Sequence, residues 1–172
     1  MKKTKYDVVY NVLSKKDLLV VQNLMMWNSE FPWYFRGDPV AKGRKDNELS
    51  ACHLFFVGST PIKIDKISIS SFSFQLQPLV DFLNPKSLIR IKGNFYPRTR
   101  EVEEHAPHHD YEFSHKGAIF YLNTCNAFTR LNDGTKIESV ENKMLLFDPS
   151  EPHNSSSCSD EKARFNINFN YF

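Results

Sequence analysis

Cysteine, glycine and long apolar segments are all scarce in this sequence, and each shortage excludes a class of protein. The three cysteines, Cys52, Cys125 and Cys158, lie far apart, unlike the dense, even-numbered cysteines of a disulfide framework. Only six of the 172 residues are glycine and 24% are charged, which excludes collagen-like and disordered chains. No apolar run approaches the ~20 residues that span a bilayer. The sequence therefore predicts a soluble, cytoplasmic protein with no membrane partner.

Neither sign of charge is in large excess. Lysine and arginine together number 22 and aspartate and glutamate 20, which gives a net charge of +2. A surface that tracks phosphates needs clustered basic residues, so nucleic acid is not indicated as a partner. The hydrophobic fraction of 41% is enough for a core, and the length fits one domain of about 100–200 residues. We expect a single domain over residues 1–172.

The first half of that domain, residues 1–87, is predicted to be a mixed, partly helical support. Ser14 is followed three residues later by an acidic residue, which resembles a helix N-cap. Apolar residues at helical spacing then predict a helix from Lys15 to Trp27. Ala51–Val57 is predicted to be a strand. A second, short helix is predicted from Pro78, which suits a first helical turn, to Leu83.

Residues 88–172 change to short runs of Ile, Phe, Tyr and Val separated by turn residues, which is typical of an all-β domain. In the last run, Arg164–Phe172, apolar residues alternate strictly with asparagines, which predicts a strand with one buried and one polar face. Asn132-Asp133-Gly134 is typical of a tight turn between strands. The other predicted strands are Leu88–Tyr96, Ala118–Leu122, Lys136–Val140 and Lys143–Phe147. We predict a mainly β protein, such as a jelly roll, with N-terminal helices packed on it.

The β half also holds a dense group of residues of the types that bind metals. His108 and Asp110 are two positions apart, so on an extended segment their side chains point to the same side. His153, in a turn between two predicted strands, is the best candidate for a third ligand. Two histidines and one carboxylate on one face of a metal leave the opposite positions open, as in non-haem Fe(II) oxygenases. The pattern therefore predicts a metal centre of His108, Asp110 and His153.

A basic residue strengthens that interpretation, because a His-x-Asp pair alone arises by chance in many proteins. Arg164 begins the final predicted strand, where an antiparallel return would bring it back beside the metal. Its guanidinium would present a planar fork for a carboxylate. The other histidines weigh less. His105 is either a neighbour of the ligands or an exposed loop residue, and His53 and His115 are predicted to be ordinary surface or core groups.

The order of these residues resembles the Fe(II)- and 2-oxoglutarate-dependent dioxygenases, specifically the prolyl-hydroxylase-like branch. The resemblance runs from Leu88 to Phe172, about half of the chain, and is most like small single-domain members from marine bacteriophages. It is carried by these segments: Tyr96-Pro97, His108-His109-Asp110, Ile119-Phe120-Tyr121-Leu122-Asn123, Lys143-Met144-Leu145-Leu146-Phe147, His153 and Arg164.

The resemblance implies a double-stranded β-helix, the jelly roll, as the core over 88–172, with the metal at one open end. It implies Fe(II), with 2-oxoglutarate and O2 as cosubstrates and ascorbate as a reductant, in the host cytoplasm if the protein is viral. Arg164 and the Tyr121 hydroxyl would bind the far carboxylate of 2-oxoglutarate, and Tyr96 would lie near its metal-side carboxylate. His109 is expected to point outward, and Asn126-Ala127-Phe128 to belong to a loop on the substrate side.

The implied function is hydroxylation of a substrate, with a peptidyl proline placed first, and release of succinate and CO2. The segments expected to frame the mouth of the site are Phe31–Asp38, Arg98–Pro107 and Cys125–Gly134. Two alternatives stay open. One is a cupin-like jelly-roll protein that binds a metal or ligand without oxygenase turnover, and the other is an oxygenase that acts on a small metabolite or a nucleobase.

Overall fold

Two antiparallel sheets of unequal size form the body of the protein. The computed structural model describes residues 5–35, 49–61 and 67–172. Its strands are β1 Tyr6–Tyr10, β2 Tyr34–Phe35, β3 Ala51–Val57, β4 Ser68–Ile69, β5 Leu88–Pro97, β6 Lys116–Tyr121, β7 Cys125–Leu131, β8 Lys136–Ser139, β9 Lys143–Phe147, β10 His153–Ser155 and β11 Ala163–Tyr171. The larger sheet has the order β1-β9-β6-β11-β5-β3-β2, with β4 beside β3, and the smaller sheet has the order β10-β7-β8. The predicted mainly β class is confirmed.

Helices cover the face of the larger sheet that points away from the smaller one. Helix α1, Lys15–Gln22, begins at the predicted cap, where the Ser14 hydroxyl accepts the Asp17 N–H, and continues as a π-helical turn over Asn23–Trp27. Helix α2 spans Gln77–Leu83. Apolar residues of both helices pack in one buried cluster with residues of the sheet. No helix in the described part of the chain is long and apolar enough to cross a membrane.

The predicted strands Ala51–Val57 and Lys143–Phe147 have the predicted bounds, but five of the eleven strands in the described residues, β1, β2, β4, β7 and β10, were not predicted. Strand β1 pairs with β9 at the edge of the larger sheet. Strand β7 corrects the expected loop, because Asn126-Ala127-Phe128 lies within it. Its side chains alternate between buried and more exposed positions, so the segment is built as a strand of the smaller sheet. Residues 36–38 of the expected mouth lie outside the described residues.

The final strand, β11, has the expected apolar and polar faces, but both of them are buried. Ile167 and Phe169 belong to the cluster that the helices cover. Asn166 and Asn168 point to the opposite face and are only 3% and 6% exposed, because the smaller sheet lies over them. The alternation was predicted correctly, but its polar face lines the interior between the two sheets. A cavity between the sheets is therefore lined with amides.

Candidate metal centre and cosubstrate pocket

The backbone brings the two candidate histidines together. His108 lies on the segment between β5 and β6, and His153 is the first residue of β10. The His108 N–H donates to the His153 carbonyl at 2.9 Å, and the His153 N–H donates to the His108 carbonyl at 2.8 Å. Further backbone hydrogen bonds, His105 to Ser155 and Ser157 to Glu103, continue the pairing. The two imidazole rings consequently lie 4.7 Å apart, centroid to centroid.

Asp110 completes a group of three possible metal ligands. Its backbone N–H donates to the Pro149 carbonyl at 2.9 Å, which ties the aspartate to the turn before β10. One nitrogen of each histidine and one carboxylate oxygen of Asp110 all lie within 4.8 Å of one another. His109, between His108 and Asp110 in the sequence, is exposed and is not part of the group.

The electrostatics keep both histidines neutral and Asp110 ionised at neutral pH. Burial of its ring lowers the pKa of His108 to about 4, helped by His153 and opposed by Asp110. Burial also lowers the pKa of His153. Burial by itself raises the pKa of Asp110, but nearby positive charge, chiefly from Arg90, and a hydrogen bond from Asn168 hold it well below its usual range. Neutral imidazoles and an ionised carboxylate are the forms that bind a metal.

The imidazole of His153 is oriented by the chain beside it. Its Nδ1 lies 3.1 Å from the Glu151 carbonyl oxygen, so Nδ1 carries the proton and donates it. Nε2 then keeps its lone pair for a metal, as is usual for histidine ligands whose other nitrogen is bonded to a carbonyl. The Phe147 ring packs edge-on against the imidazole, 4.9 Å away. The side chain is held in one orientation before any metal arrives.

Arg164 lines the same cavity as the two histidines, and it lies at the other end because it is four residues along β11 from Asn168, which bonds to Asp110. It is fully buried, and its Nη1 donates to the carbonyls of Phe128 and Ser156, both at 3.0 Å. Its Nη2 donates to the Thr129 hydroxyl at 3.0 Å. The Nε–H, by contrast, is a buried donor with no partner. A buried arginine donor without an acceptor is costly, and a carboxylate bound at Nε would satisfy it.

Thr129 is a pocket residue that the sequence did not reveal. Its hydroxyl oxygen accepts from Arg164 Nη2 and also from the Tyr121 hydroxyl at 2.9 Å. A hydroxyl has two acceptor lone pairs and one donor hydrogen, so the Thr129 hydrogen is left to donate to a ligand. Tyr121 was expected to donate directly to the cosubstrate, but in this structure its hydroxyl donates its one hydrogen to Thr129. Thr129 lines the cavity, and Tyr121 lies behind it.

Comparison with solved structures identifies the fold. A prolyl hydroxylase from Trichoplax adhaerens, in complex with a hypoxia-inducible-factor peptide fragment, has a TM-score of 0.67 and 12% identity, over 99% of this chain and 84% of that one. The viral collagen prolyl hydroxylase of Paramecium bursaria Chlorella virus-1, in a 2-oxoglutarate complex, has a TM-score of 0.60 and 13% identity, over 98% of this chain and 96% of that one. HygX from Streptomyces hygroscopicus, with nickel and 2-oxoglutarate bound, has a TM-score of 0.62 and 12% identity, over 98% of this chain and 82% of that one.

This chain has the 2-oxoglutarate oxygenase fold. The resemblance to that superfamily and to its prolyl-hydroxylase-like branch is thus confirmed for the fold, whereas the likeness to bacteriophage members stays a prediction. No protein-family profile matches the sequence, and no curated protein matches it. A jelly roll opens at one end between its two sheets, which is where the group of His108, Asp110 and His153 lies.

The residues of this oxygenase fold suit a divalent metal and a dicarboxylate. Two nitrogens and one carboxylate oxygen on one side of a site match the donor set of a non-haem Fe(II) centre. The unpartnered Nε of Arg164 and the donor hydrogen of Thr129 match a carboxylate at the far end of the cavity. Tyr96 also lines this cavity, and the Arg164 guanidinium lies 5.7 Å from the centre of its ring.

The remaining histidines have structural partners. His53 lies near the Pro32 carbonyl, at 2.9 Å, and the Ser70 hydroxyl, at 2.8 Å. His115 is bonded to Asn170 at 2.7 Å. His105 contacts the Ser155 hydroxyl at 2.7 Å and packs on Tyr96, so it supports the rim of the site. None of the three belongs to the group of possible metal ligands found among the described residues.

Proposed function

We propose that the chain is an Fe(II)- and 2-oxoglutarate-dependent dioxygenase. The observation that carries this proposal is the pairing of two features in one cavity. A group of two histidines and one carboxylate lies at one end, and a fully buried arginine with an unpartnered donor lies at the other. A metal-binding jelly roll without turnover has no need for a buried guanidinium facing its metal, so the pair favours the oxygenase over the cupin-like alternative.

In this proposal His108, Asp110 and His153 hold Fe(II) from one side. With O2, the bound iron and 2-oxoglutarate would supply the oxidising chemistry, in which the cosubstrate becomes succinate and CO2 and the substrate gains a hydroxyl group. His153 offers Nε2 because Glu151 occupies Nδ1. His153 is buried and His108 lies at the exposed edge of the site, and desolvation of both rings favours their unprotonated forms. Ascorbate would serve only to keep the iron reduced.

Arg164 and Thr129 would anchor the far carboxylate of 2-oxoglutarate. The Nε–H is unpartnered, and Nη2 gives one of its two hydrogens to Thr129. These two nitrogens can therefore present a planar, bidentate fork to a carboxylate. Tyr121 would act through Thr129 by fixing the direction of its hydroxyl. Tyr96, on the strand opposite Arg164 in the β5–β11 register, would pack along the cosubstrate.

The reaction class is tested by anaerobic titration of the protein with Fe(II) and then 2-oxoglutarate. We expect a visible metal-to-ligand charge-transfer band that appears only when both are present, because a keto acid chelated to Fe(II) absorbs there. Succinate, which lacks the keto group, is the matched ligand control and should give no band. Metal binding without the band would favour the cupin-like alternative instead.

For the substrate, we propose a peptidyl proline. The support is the similarity in fold to a prolyl hydroxylase that holds a peptide fragment. A small polar molecule is the second candidate, because Lys92, Asn94 and Asn166 line the cavity, where a proline ring would favour apolar contacts. We further propose a cytoplasmic location, which suits three cysteines that are all free.

The substrate proposal is tested by incubating the protein with Fe(II), ascorbate and 2-oxoglutarate in the presence of proline peptides, free amino acids or nucleobases. We expect a proline peptide to gain the mass of one oxygen, with an equal amount of succinate released. The same peptide with alanine in place of proline is the control. Oxidation of a free amino acid or base, with every peptide unmodified, would reverse the order of the two candidates.

A further inference from the structure

Both oxygens of the Asp110 carboxylate already have partners in the protein. Arg90 Nη2, from β5, forms an ion pair with Oδ1 at 2.6 Å, and Asn168 Nδ2, from β11, donates to Oδ2 at 3.0 Å. The Asp110 side chain is 3% exposed and that of Arg90 is 19% exposed, so solvent screens the pair little. The carboxylate is therefore held in one plane by two neighbouring strands.

Arg90 is itself fixed by its surroundings. Its guanidinium carbon lies 5.3 Å from the centre of the Tyr111 ring, and Tyr111 directly follows Asp110. The Tyr111 ring packs edge-on against His115, which is bonded to Asn170. Asn170 stands opposite Arg90 in the β5–β11 register. This ring of contacts holds the guanidinium against Oδ1 and leaves it little freedom to move away.

The two oxygens of Asp110 are consequently not equivalent toward a metal. Oδ1 already has a positively charged group, the Arg90 guanidinium, at hydrogen-bond distance. A second cation on the same oxygen would be repelled by that guanidinium. Oδ2 accepts a hydrogen bond from the neutral amide of Asn168 and keeps a second lone pair. Lys92, opposite Asn168 in the β5–β11 register, adds positive charge near the carboxylate. A metal that used both oxygens would have to share Oδ1 with the Arg90 guanidinium, whereas a metal on Oδ2 alone would not.

We propose that Arg90 is a positioning residue that keeps Asp110 a single-oxygen ligand, offered through Oδ2, and thereby weakens the binding of a divalent metal. The consequence is one more open coordination position than a chelating aspartate would leave. This inference rests on the proposed function in one respect, which is that a divalent metal binds at His108, Asp110 and His153. It makes Arg90 a residue whose removal should tighten metal binding.

The test measures Mn(II) binding to the full chain, by calorimetry and by loss of the free-ion electron paramagnetic resonance signal. We expect Arg90→Met to bind Mn(II) about tenfold more tightly, because a neighbouring positive charge is lost. Arg90→Lys keeps the charge and should stay near the unchanged protein. A purely structural role predicts the opposite sign, since a disordered Asp110 would bind metal more weakly.

A second readout reports how the carboxylate binds. With 13C-labelled aspartate, the infrared splitting between the antisymmetric and symmetric carboxylate stretches should narrow on Mn(II) binding in Arg90→Met, as both oxygens engage, and not in the unchanged protein. Arg130→Met is the matched control, because it removes an arginine paired with a carboxylate, Glu104, that is not a ligand. It should change neither readout.

The outcomes separate this inference from the proposed function. If the unchanged protein fails to bind Mn(II), both are overturned. If it binds Mn(II) but Arg90→Met binds with equal or lower affinity, or shows the same infrared splitting as the unchanged protein, only the role of Arg90 is overturned. Circular dichroism of each metal-free variant checks that it folds. If Arg90→Met does not fold, Arg90→Lys is used for the test instead. In that case Arg90→Lys must match the unchanged protein in both readouts, and weaker Mn(II) binding would overturn the inference.

Discussion

Replacing Asp110 with alanine is expected to weaken Fe(II) or Mn(II) binding by about 100-fold or more, since even residues that only support a ligand typically contribute 10–100-fold. The substitution removes the only anionic member of the group. It also leaves Arg90 without its ion-pair partner, and breaking a buried pair costs about 3 kcal/mol of folding free energy. Calorimetric titration with Mn(II) measures the first effect, and urea unfolding of the metal-free protein measures the second.

The chain provides a matched control for this substitution in the neighbouring residue. His109→Ala removes a potential metal-binding side chain from the same segment, but His109 is exposed and outside the ligand group. It should bind Mn(II) as tightly as the unchanged protein. Full affinity in Asp110→Ala, or a comparable loss in His109→Ala, would show that the metal is held by a different set of residues.

Replacing Arg164 with methionine is expected to weaken 2-oxoglutarate binding at least about 30-fold, because a buried charged hydrogen-bonding partner is worth some 2–5 kcal/mol. Metal binding should be retained, since Arg164 lies at the opposite end of the cavity from the ligands. The expected loss is measured by anaerobic titration of the Fe(II) protein. The arginine also joins the two sheets through the carbonyls of Phe128 and Ser156, so the free energy of unfolding should fall as well.

A second keto acid separates loss of the pocket from loss of the fold. 2-Oxobutyrate can chelate the metal but lacks the far carboxylate, so it has no oxygen there to accept a hydrogen bond from Arg164. The unchanged protein should therefore prefer 2-oxoglutarate strongly, and Arg164→Met should bind the two acids almost equally. An equal loss of affinity for both acids would instead indicate a distorted metal centre, and an unchanged preference would contradict the assignment of the cosubstrate pocket.

The parts of the site that could be predicted are those whose residues lie close together in the sequence. His108 and Asp110 are two residues apart, and that spacing alone places their side chains on one side of an extended segment. Arg90 and Asn168 reach Asp110 from 20 and 58 residues away. Nothing in the spacing of a strand predicts which residue of a distant strand will stand opposite it, so both contacts became visible only with the sheet register.

The same reasoning explains the errors in the strands. The asparagines of β11 alternate as a polar face should, but whether water or a second sheet covers that face depends on the position of β7 and β10. Strand β7 itself was mistaken for a loop at Asn126-Ala127-Phe128, because polar residues interrupt its buried positions. Strand β1 pairs with β9 from the opposite end of the sequence, and so short a segment has little pattern of its own.

The pairing of the rim segment with β10 has a consequence for how the protein opens. Residues 103–108 are joined to residues 153–157 by backbone hydrogen bonds, and Asp110 follows directly. The proposed metal ligands therefore lie on both sides of the pairing between this rim segment and β10, the edge strand of the smaller sheet. Local unfolding of this pairing would carry His108 and Asp110 away from His153 in a single event. A bound ion would stabilise this pairing and raise the free energy of the opening by RT ln(1 + c/Kd), where c is the free ion concentration.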